Sequence, residues 1–158
     1  MVGVLEPRAG ILFPELAIET HLGLAAQQGA TLRFNETVLK WEARGDGVTI
    51  WTTSGSYQAS QLLFTAGAWL QKLTPELQLP LKVERQVLFW FAAQEPETFQ
   101  PDRCPIHLWE HSPGKYFYGF PDVGNGVKIA GHHEGEITQP EKINRTVSPS
   151  EVAEMQKV

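Results

Sequence analysis

Three side chains that can carry charge or form hydrogen bonds lie on the arms of one predicted β-hairpin. Residues 116–121 and 127–133 are rich in aromatic and β-branched side chains, and a turn of Asp, Asn and Gly separates them; this pattern is typical of a hairpin. Side chains alternate along a strand, so Lys128 and His132 share one face of the second arm. Together with Tyr118 on the first arm, they could line a polar, aromatic-walled pocket. An ordinary solvated face fits the same pattern.

The pairing register decides whether these side chains meet. If Phe120 lies directly opposite Gly126, for example, Tyr118 and Lys128 are each two residues away from this opposed pair. Their side chains then fall on the same face, as they do whenever both residues are an even number of positions from an opposed pair. A register shifted by one residue places the phenol and the ammonium on opposite sides of the sheet. The predicted pocket therefore requires a register in which Tyr118 and Lys128 are each an even number of residues from an opposed pair.

The composition limits the class of protein and its partners. The chain has 158 residues, of which 42% are hydrophobic and 20% charged, as in a soluble globular protein of one or two compact units. A net charge of -5 and the lack of a Lys/Arg cluster argue against nucleic-acid and anionic-membrane partners. No apolar run is long enough to cross a membrane, no signal peptide is recognisable, and Cys104 is the single cysteine. We therefore expect a cytoplasmic location.

Residues 107–111 match the H-x-x-E-H motif of one class of zinc peptidase. That motif binds zinc on a helix, where residues four apart share one face. Pro105 and the turn at 112–114 leave room for a short strand, on which residues four apart lie about 13 Å from each other. His132 and His133 are adjacent and point to opposite faces of their strand. We therefore expect no metal site, and a zinc hydrolase requires that the strand assignment be wrong.

The sequence predicts helices near both ends of the chain. The first begins at Pro14, runs to about Gln28 and is followed by Gly29, which is suited to end it. Near the carboxy terminus, Ser148 and Glu151 have the spacing of a capping box. Both assignments rest on residues that stabilise helix ends.

Strands are predicted where β-branched and aromatic residues run between turn residues. The predicted ranges, besides the hairpin, are 31–34, 37–43, 48–53, 62–64, 81–93 and 106–110. The unbroken apolar run at 62–64 is typical of a strand buried on both faces. It leads through Thr65, Ala66 and Gly67 into a helical segment that ends near Leu73. Small residues at such a junction let a backbone approach a ligand.

The hairpin residues resemble a known family. Residues 116–121, 126–129 and His132 resemble the substrate-domain hairpin of the monomeric sarcosine oxidase and N-methyltryptophan oxidase family, within the flavin-dependent D-amino-acid-oxidase-like enzymes. Further segments resemble the family in the same order along the chain, namely 10–12, 29–30, 37–39, 59–69 and 85–86. The resemblance covers nearly the whole chain.

This resemblance implies an FAD-dependent amine oxidase. Enzymes of that family oxidise the C–N bond of a secondary (N-methyl) amino acid such as sarcosine, with FAD as hydride acceptor and oxygen as final acceptor, which yields hydrogen peroxide. Lys128 would be the cation beside the flavin that promotes reduction of oxygen. Tyr118 and His132 would bind the substrate. Val38 and the junction at 65–67 would approach the flavin through backbone groups.

The resemblance also implies an α+β fold in two parts. Residues 1–80 would form part of an FAD-binding α/β domain, and residues 81–158 part of a substrate domain with a mixed or antiparallel sheet. The family's phosphate-cradling motif, flavin-linking cysteine and carboxylate-clamping basic residue have no counterpart here. We therefore expect that this fragment binds FAD poorly, does not turn over, and self-associates through exposed apolar surfaces. A non-catalytic small-molecule-binding or dimerisation module is the alternative from another class.

Overall fold

The computed structural model of the chain describes residues 2–133 and 135–157, which fall into two compact units. One unit spans Leu12–Leu81, and the other begins at Lys82 and includes the amino-terminal stretch up to Ile11. Each combines helix with antiparallel sheet, so the predicted mixture of helix and antiparallel sheet is confirmed. The assignment of residues 1–80 to a cofactor domain and of 81–158 to a substrate domain stays a prediction.

The first helix, α1 (Pro14–Gln27), begins and ends as its flanking residues predict. A proline occupies its first position, where a missing N–H has no cost. At the other end Gly29 has a φ of +90°. Its N–H donates to the Ala26 carbonyl, and the Ala30 N–H donates to the Ala25 carbonyl, both at 3.0 Å. This is a Schellman cap, in which glycine adopts the left-handed conformation without strain.

Three strands follow in the same unit and form an antiparallel sheet in chain order. They are β1 (Val38–Arg44), β2 (Gly47–Thr52) and β3 (Ser56–Ala59). The predicted strand at 31–34 is wrong, because no strand in the described part of the chain pairs with it. Its β-branched and aromatic residues favour extended backbone, but a strand also needs a neighbour to accept and donate its hydrogen bonds.

The predicted buried strand at 62–64 is also wrong. These residues join no ladder among the described residues, and Leu63 is 84% exposed. An unbroken apolar run indicates a buried strand only where other elements cover both of its faces. The helical segment after it is confirmed as a 3-10 turn at Gly67–Trp69 that continues as α2 (Leu70–Leu73).

The described residues of the second unit form six strands. They are β4 (Glu84–Arg85), β5 (Phe89–Phe91), β6 (His107–Ser112), β7 (Lys115–Phe120), β8 (Val127–Gly131) and β9 (Glu136–Ile137). Four of them form an antiparallel sheet in the order β5-β8-β7-β6, and β4 pairs with β9 in a separate sheet. The predicted hairpin is thus confirmed as β7 and β8.

The predicted long strand at 81–93 is broken into β4 and β5. The two strands belong to different sheets, because β4 pairs with β9 whereas β5 pairs with β8. The residues between them, 86–88, join neither ladder. The β-favouring residues on both sides of Arg85 and Gln86 concealed this change of partner, since strand propensity does not depend on which strand lies alongside.

The last helix, α3 (Pro149–Met155), begins with the predicted capping box. Ser148 Oγ accepts from the Glu151 N–H at 3.2 Å, and Glu151 Oε2 accepts from the Ser148 N–H at 2.7 Å. The Glu151 carboxylate also accepts from Arg85. The Arg85 guanidinium donates further to the carbonyls of Asn144 at 2.6 Å and Thr146 at 3.0 Å. The hydrogen bonds of Arg85 therefore connect the segment before α3 to β4.

The helices of both units are short. Among the described residues α1 is the longest, with 14 residues, and α3 has seven. The other helical pieces are 3-10 turns at Pro75–Leu77, Pro96–Phe99 and Pro140–Lys142. Within residues 2–133 and 135–157, no helix combines the length and the apolar character that crossing a membrane requires.

Candidate functional site

The β7–β8 hairpin has the parity of register that the predicted pocket requires. Phe120 lies opposite Lys128, and Tyr118 lies opposite Ala130. This register differs by two residues from a pairing of Phe120 with Gly126, and a shift of two leaves every side chain on the same face. Tyr118 and Lys128 therefore share one face of the sheet, as predicted.

The side chains on that face form a continuous row. The Tyr118 ring lies edge-on to the rings of Phe120 and His132, with 6.1 Å between centroids in each pair. The ammonium of Lys128 lies 4.9 Å from the Phe120 ring centroid. The His132 N–H donates to the Tyr116 carbonyl at 2.9 Å, which extends the ladder as far as His132. We call the face that carries this row the site face.

Trp90 also belongs to the site face, and sequence reasoning missed it. It lies opposite Lys128 in the β5–β8 pair, and its ring centroid is 5.5 Å from the Lys128 ammonium. Its side chain is 50% exposed. Beyond β7, Leu108 lies opposite Tyr118 and is exposed as well. The position of Trp90 depends on a pairing between strands distant in sequence, so the local pattern carried no signal for it.

The centre of the site face is occupied by Ala130. Ala130 lies between Lys128 and His132 along β8 and is 0% exposed, so the larger side chains around it cover its methyl group. Lys128 and Tyr118 are half-buried, whereas His132 is exposed. The side chains around Ala130 are therefore a cation, a phenol and an imidazole.

The electrostatics of the site face are simple. Among the described residues, no Asp or Glu forms an ion pair with Lys128. Burial raises the pKa of Tyr118, because the phenolate would lose its hydration. On the site face the ammonium of Lys128 therefore accompanies the protonated phenol of Tyr118.

The opposite face of the same sheet is covered by other parts of its unit. Phe89 and Phe117, together with Arg85, Glu151 and Met155, line a cleft of about 460 Å³ beside α3. Arg85 is only 8% exposed, and the hydrogen bonds from Arg85 and from Ser148 lower the pKa of Glu151 to about 2. This charged pair serves the packing of α3, because its polar atoms are engaged within the protein.

Val38, a predicted flavin contact, begins β1 and lines a cleft of about 530 Å³ in the first unit. Glu36, Thr52 and Tyr57 also line this cleft. Glu36 accepts hydrogen bonds from Thr52 and, at 2.8 Å, from the Tyr57 hydroxyl. These two bonds hold the pKa of Glu36 below its ordinary value. The cleft therefore contains a carboxylate that is already satisfied by its neighbours.

The predicted junction at Thr65, Ala66 and Gly67 has an open backbone. Thr65 and Gly67 are exposed, and Gly67 has a φ of +51° with no heavy atom within 4 Å of the place that a Cβ would occupy. Such a backbone allows close approach of a ligand. The junction does not line the cleft beside Val38, so the structure does not bring these two predicted contacts into one cavity.

The H-x-x-E-H residues lie on β6, which is a strand, as predicted. The helical spacing that one zinc ion would need is therefore missing. The His107 ring instead packs edge-on against Phe117, with 6.1 Å between centroids. Among the described residues, no group of three or more His, Cys, Asp or Glu side chains is placed to hold a metal ion. Glu134, next to His132 and His133, lies outside the described residues.

The model of the FAD dependent oxidoreductase family, DAO, matches residues 1–158. The chain belongs to this family. It is 39% identical over 158 residues to a monomeric sarcosine oxidase of Streptomyces avermitilis, a match that covers 98% of the chain and 41% of that protein. It is also 39% identical over 138 residues to an N-methyl-L-tryptophan oxidase of Salmonella agona, covering 87% of the chain and 36% of that protein. The predicted family resemblance is confirmed, and the chain spans about 40% of the length of these relatives.

A solved structure shares the fold of this FAD dependent oxidoreductase chain. It is the open form of NikD, an unusual amino acid oxidase essential for nikkomycin biosynthesis. The superposition has a TM-score of 0.64, covers 89% of the chain and 37% of NikD, and includes 21% identical residues. At that level of identity the similarity shows the fold alone.

The residues of the site face fit a flavin. The exposed ring of Trp90 and the half-buried ring of Phe120 offer an apolar surface to a planar ring system. The ammonium of Lys128, which no carboxylate among the described residues neutralises, favours negative charge on a group placed beside it. FAD, the cofactor of the family, therefore matches the chemistry of these side chains.

Proposed function

We propose that the chain supplies the substrate-binding face of an FAD-dependent amine oxidase. The reaction is oxidation of the C–N bond of a secondary (N-methyl) amino acid such as sarcosine, with oxygen as acceptor and hydrogen peroxide as product. One observation carries this proposal. Lys128, with no ion-pair partner in the described residues, lies on one face with Tyr118 and His132. The names of the sarcosine and N-methyl-L-tryptophan oxidases that the chain resembles support the substrate class.

Lys128 is the proposed catalytic residue for the reaction with oxygen. Negative charge develops on oxygen as it is reduced, and a fixed ammonium nearby lowers the energy of that charge. A lysine already paired with a carboxylate would contribute less, because the pair has little net charge. The aromatic surroundings of Lys128 are consistent with this role, since they hold the ammonium without cancelling it.

Tyr118 and His132 are the proposed substrate-binding residues. When bound, FAD supplies the hydride acceptor for the amine. The neutral phenol of Tyr118 can donate a hydrogen bond to the substrate carboxylate, and its raised pKa keeps the proton in place. The imidazole of His132 can orient the amine. Its ring centroid lies 6.1 Å from that of Tyr118.

Val38 and the junction at 65–67 are the proposed backbone contacts to the cofactor. The support is local geometry: Val38 lines a cleft, and Gly67 presents an open backbone. We keep them as contacts of the nucleotide and assign them no catalytic role.

The test uses the protein produced from the complete encoding gene. After purification, its absorption spectrum reports bound flavin, and a coupled peroxidase assay reports hydrogen peroxide. We expect peroxide with sarcosine or N-methyl-L-tryptophan and much less with glycine or tryptophan, which lack the N-methyl group. Bound flavin with no peroxide from any secondary amino acid would contradict the proposed reaction. A protein without flavin that still binds a small molecule would favour the non-catalytic module.

A further inference from the structure

The ammonium of Lys128 lies between two aromatic rings. On one side Trp90 is its directly opposed neighbour in β5, with 5.5 Å from the ammonium to the ring centroid. On the other side Phe120 is its directly opposed neighbour in β7, with 4.9 Å to the ring centroid. Both distances are within the range of cation–π attraction. The central strand of the sheet thus carries a lysine with an aromatic partner on each flank.

A second lysine in the chain shows why this arrangement is unusual. Lys40 lies opposite Trp51 in the β1–β2 pair, with its ammonium 4.1 Å from the ring centroid. Lys40 also forms an ion pair with Glu42 at 3.2 Å, which is the ordinary state of a surface lysine. Lys128 has the aromatic contacts but, among the described residues, no such carboxylate. In the described part of the chain, aromatic rings and no carboxylate therefore hold its charge.

The location of Trp90 is not explained by packing of a core. Trp90 is 50% exposed, whereas its strand neighbours Phe89 and Phe91 point to the opposite face and stack at 6.0 Å between centroids. An exposed aromatic ring at this position is unfavourable, because its apolar surface stays in contact with water. On the site face its ring contacts the Lys128 ammonium.

We propose that Trp90, together with Phe120, is a positioning residue for the Lys128 ammonium. The negative faces of the two rings attract the ammonium and restrict the flexible lysine chain, but they carry no net charge that would neutralise it. A carboxylate at the same place would hold the lysine equally well and cancel its field. This inference rests on the proposed function of Lys128 in the reaction with oxygen.

The first test examines the contact itself, in the 158-residue chain and without cofactor. Lysine labelled with 13C gives separate NMR signals for the ε-methylene groups, and ring currents shift those of a lysine above an aromatic ring upfield. We expect Trp90→Leu to move the Lys128 signal toward that of free lysine and Trp90→Phe to move it part of the way. Trp51→Leu is the matched control, which moves the Lys40 signal and leaves Lys128 unchanged. An unshifted Lys128 signal in the parent chain, or one that Trp90→Leu does not alter, overturns the proposal.

The second test examines the consequence, in the FAD-loaded protein from the complete gene. We expect Trp90→Leu to slow reoxidation of the reduced flavin by oxygen roughly 3- to 30-fold, the range for loss of one cation–π contact. The loss is expected to be larger for reoxidation by oxygen than for reduction by the amino acid, because only reoxidation depends on the Lys128 ammonium. If Lys128→Met slows reoxidation but Trp90→Leu does not, the positioning role is wrong and the proposed function stands. If Lys128→Met has no effect, the proposed function itself fails.

Discussion

Among single residues, Tyr118 has the clearest dependence on its surroundings. Desolvation raises its pKa above 10.0, so the folded protein holds the phenolic proton more tightly than the unfolded chain does. The contribution of Tyr118 to stability is therefore complete below pH 10 and is lost as the pH rises through the raised pKa.

An absorbance titration of tyrosinate tests this prediction. The chain has three tyrosines, and Tyr118→Phe should remove a component that titrates above pH 10. The matched control is Tyr57→Phe, since the hydrogen bond to Glu36 raises the pKa of Tyr57 as well. A Tyr118 component that titrates at or below the pH of free tyrosine would show that the phenol is not desolvated.

Gly126, which precedes β8, occupies a position that other residues do not tolerate. It has a φ of +91°, and an added Cβ would lie 2.7 Å from the Phe91 carbonyl oxygen. We expect Gly126→Ala to destabilise the fold by about 1–3 kcal/mol, from backbone strain and the steric contact together. Urea denaturation measures the change.

Gly124→Ala is the matched control for Gly126→Ala. Gly124 also has a positive φ, +112°, but no heavy atom lies within 4 Å of its Cβ position. Both N–H groups donate to Asp122 Oδ1, at 2.7 Å for Gly124 and 2.9 Å for Gly126. The extra loss in Gly126→Ala therefore measures the contact with β5. Equal losses in the two variants would mean that β5 and this turn are not packed as described.

At the level of elements, α3 depends on one carboxylate. Arg85 and Ser148 lower the pKa of Glu151 from 4.5 to about 2. A depressed pKa in the folded state gives stability that is present above pH 4.5 and is lost as the pH falls toward 2. We therefore expect Glu151→Gln to be less stable than the parent chain at pH 7, and the difference to shrink at pH 3.

Urea unfolding at the two pH values measures this effect. Ser148→Ala should cost about 1 kcal/mol at pH 7, the usual value of a lost N-cap, and less at pH 3, because the Ser148 hydroxyl also donates to the Glu151 carboxylate at 2.9 Å. Glu154→Gln is the control on the same helix, because Glu154 pairs with the exposed Lys157 and has no contact with Arg85. A difference between Glu151→Gln and the parent that does not depend on pH would contradict the assignment.

The elements that the sequence predicted best are those with local causes. The capping box at Ser148 and the glycine cap at Gly29 each involve residues within a few positions of one another. The β7–β8 hairpin likewise follows from a short turn and an alternating pattern. The failures, at 31–34, 62–64 and 81–93, are extended segments whose state depends on a partner strand distant in sequence or absent from the described residues.

The difference between local and long-range causes also explains which residues of the candidate site the sequence predicted and which it did not. Tyr118, Lys128 and His132 lie on one hairpin. The sequence could therefore predict that they share a face, provided that the two strands pair in one of two alternative registers. Trp90 reaches that face only through the pairing of β5 with β8. No local pattern reports that pairing, because it joins segments from different parts of the chain.

For the whole molecule, the exposed apolar side chains have a consequence for behaviour in solution. No described residue of α1 is buried, and Leu16, Ile18 and Leu24 are exposed along it. On the site face Trp90 and Leu108 are exposed as well. Uncovered apolar surface of this kind favours association. We propose that the 158-residue chain self-associates and binds FAD only weakly.

Two measurements on the isolated chain test this proposal. Light scattering after size-exclusion chromatography should give a mass that rises with protein concentration. Titration with FAD should give no stoichiometric change in the flavin spectrum. A chain that stays monomeric at high concentration, or that binds one FAD tightly, would show that its surfaces are already complete.

The central claim is that the ammonium of Lys128 acts on oxygen from the site face. The most direct measurement is the stopped-flow rate at which oxygen reoxidises the reduced, FAD-loaded protein from the complete gene, compared between the parent and Lys128→Met. We predict that the variant reoxidises roughly 10²- to 10³-fold more slowly, as for loss of one group that stabilises developing negative charge. Lys40→Met, which removes the other lysine that contacts a tryptophan, should leave the rate unchanged. Equal rates for the parent and Lys128→Met would contradict the claim.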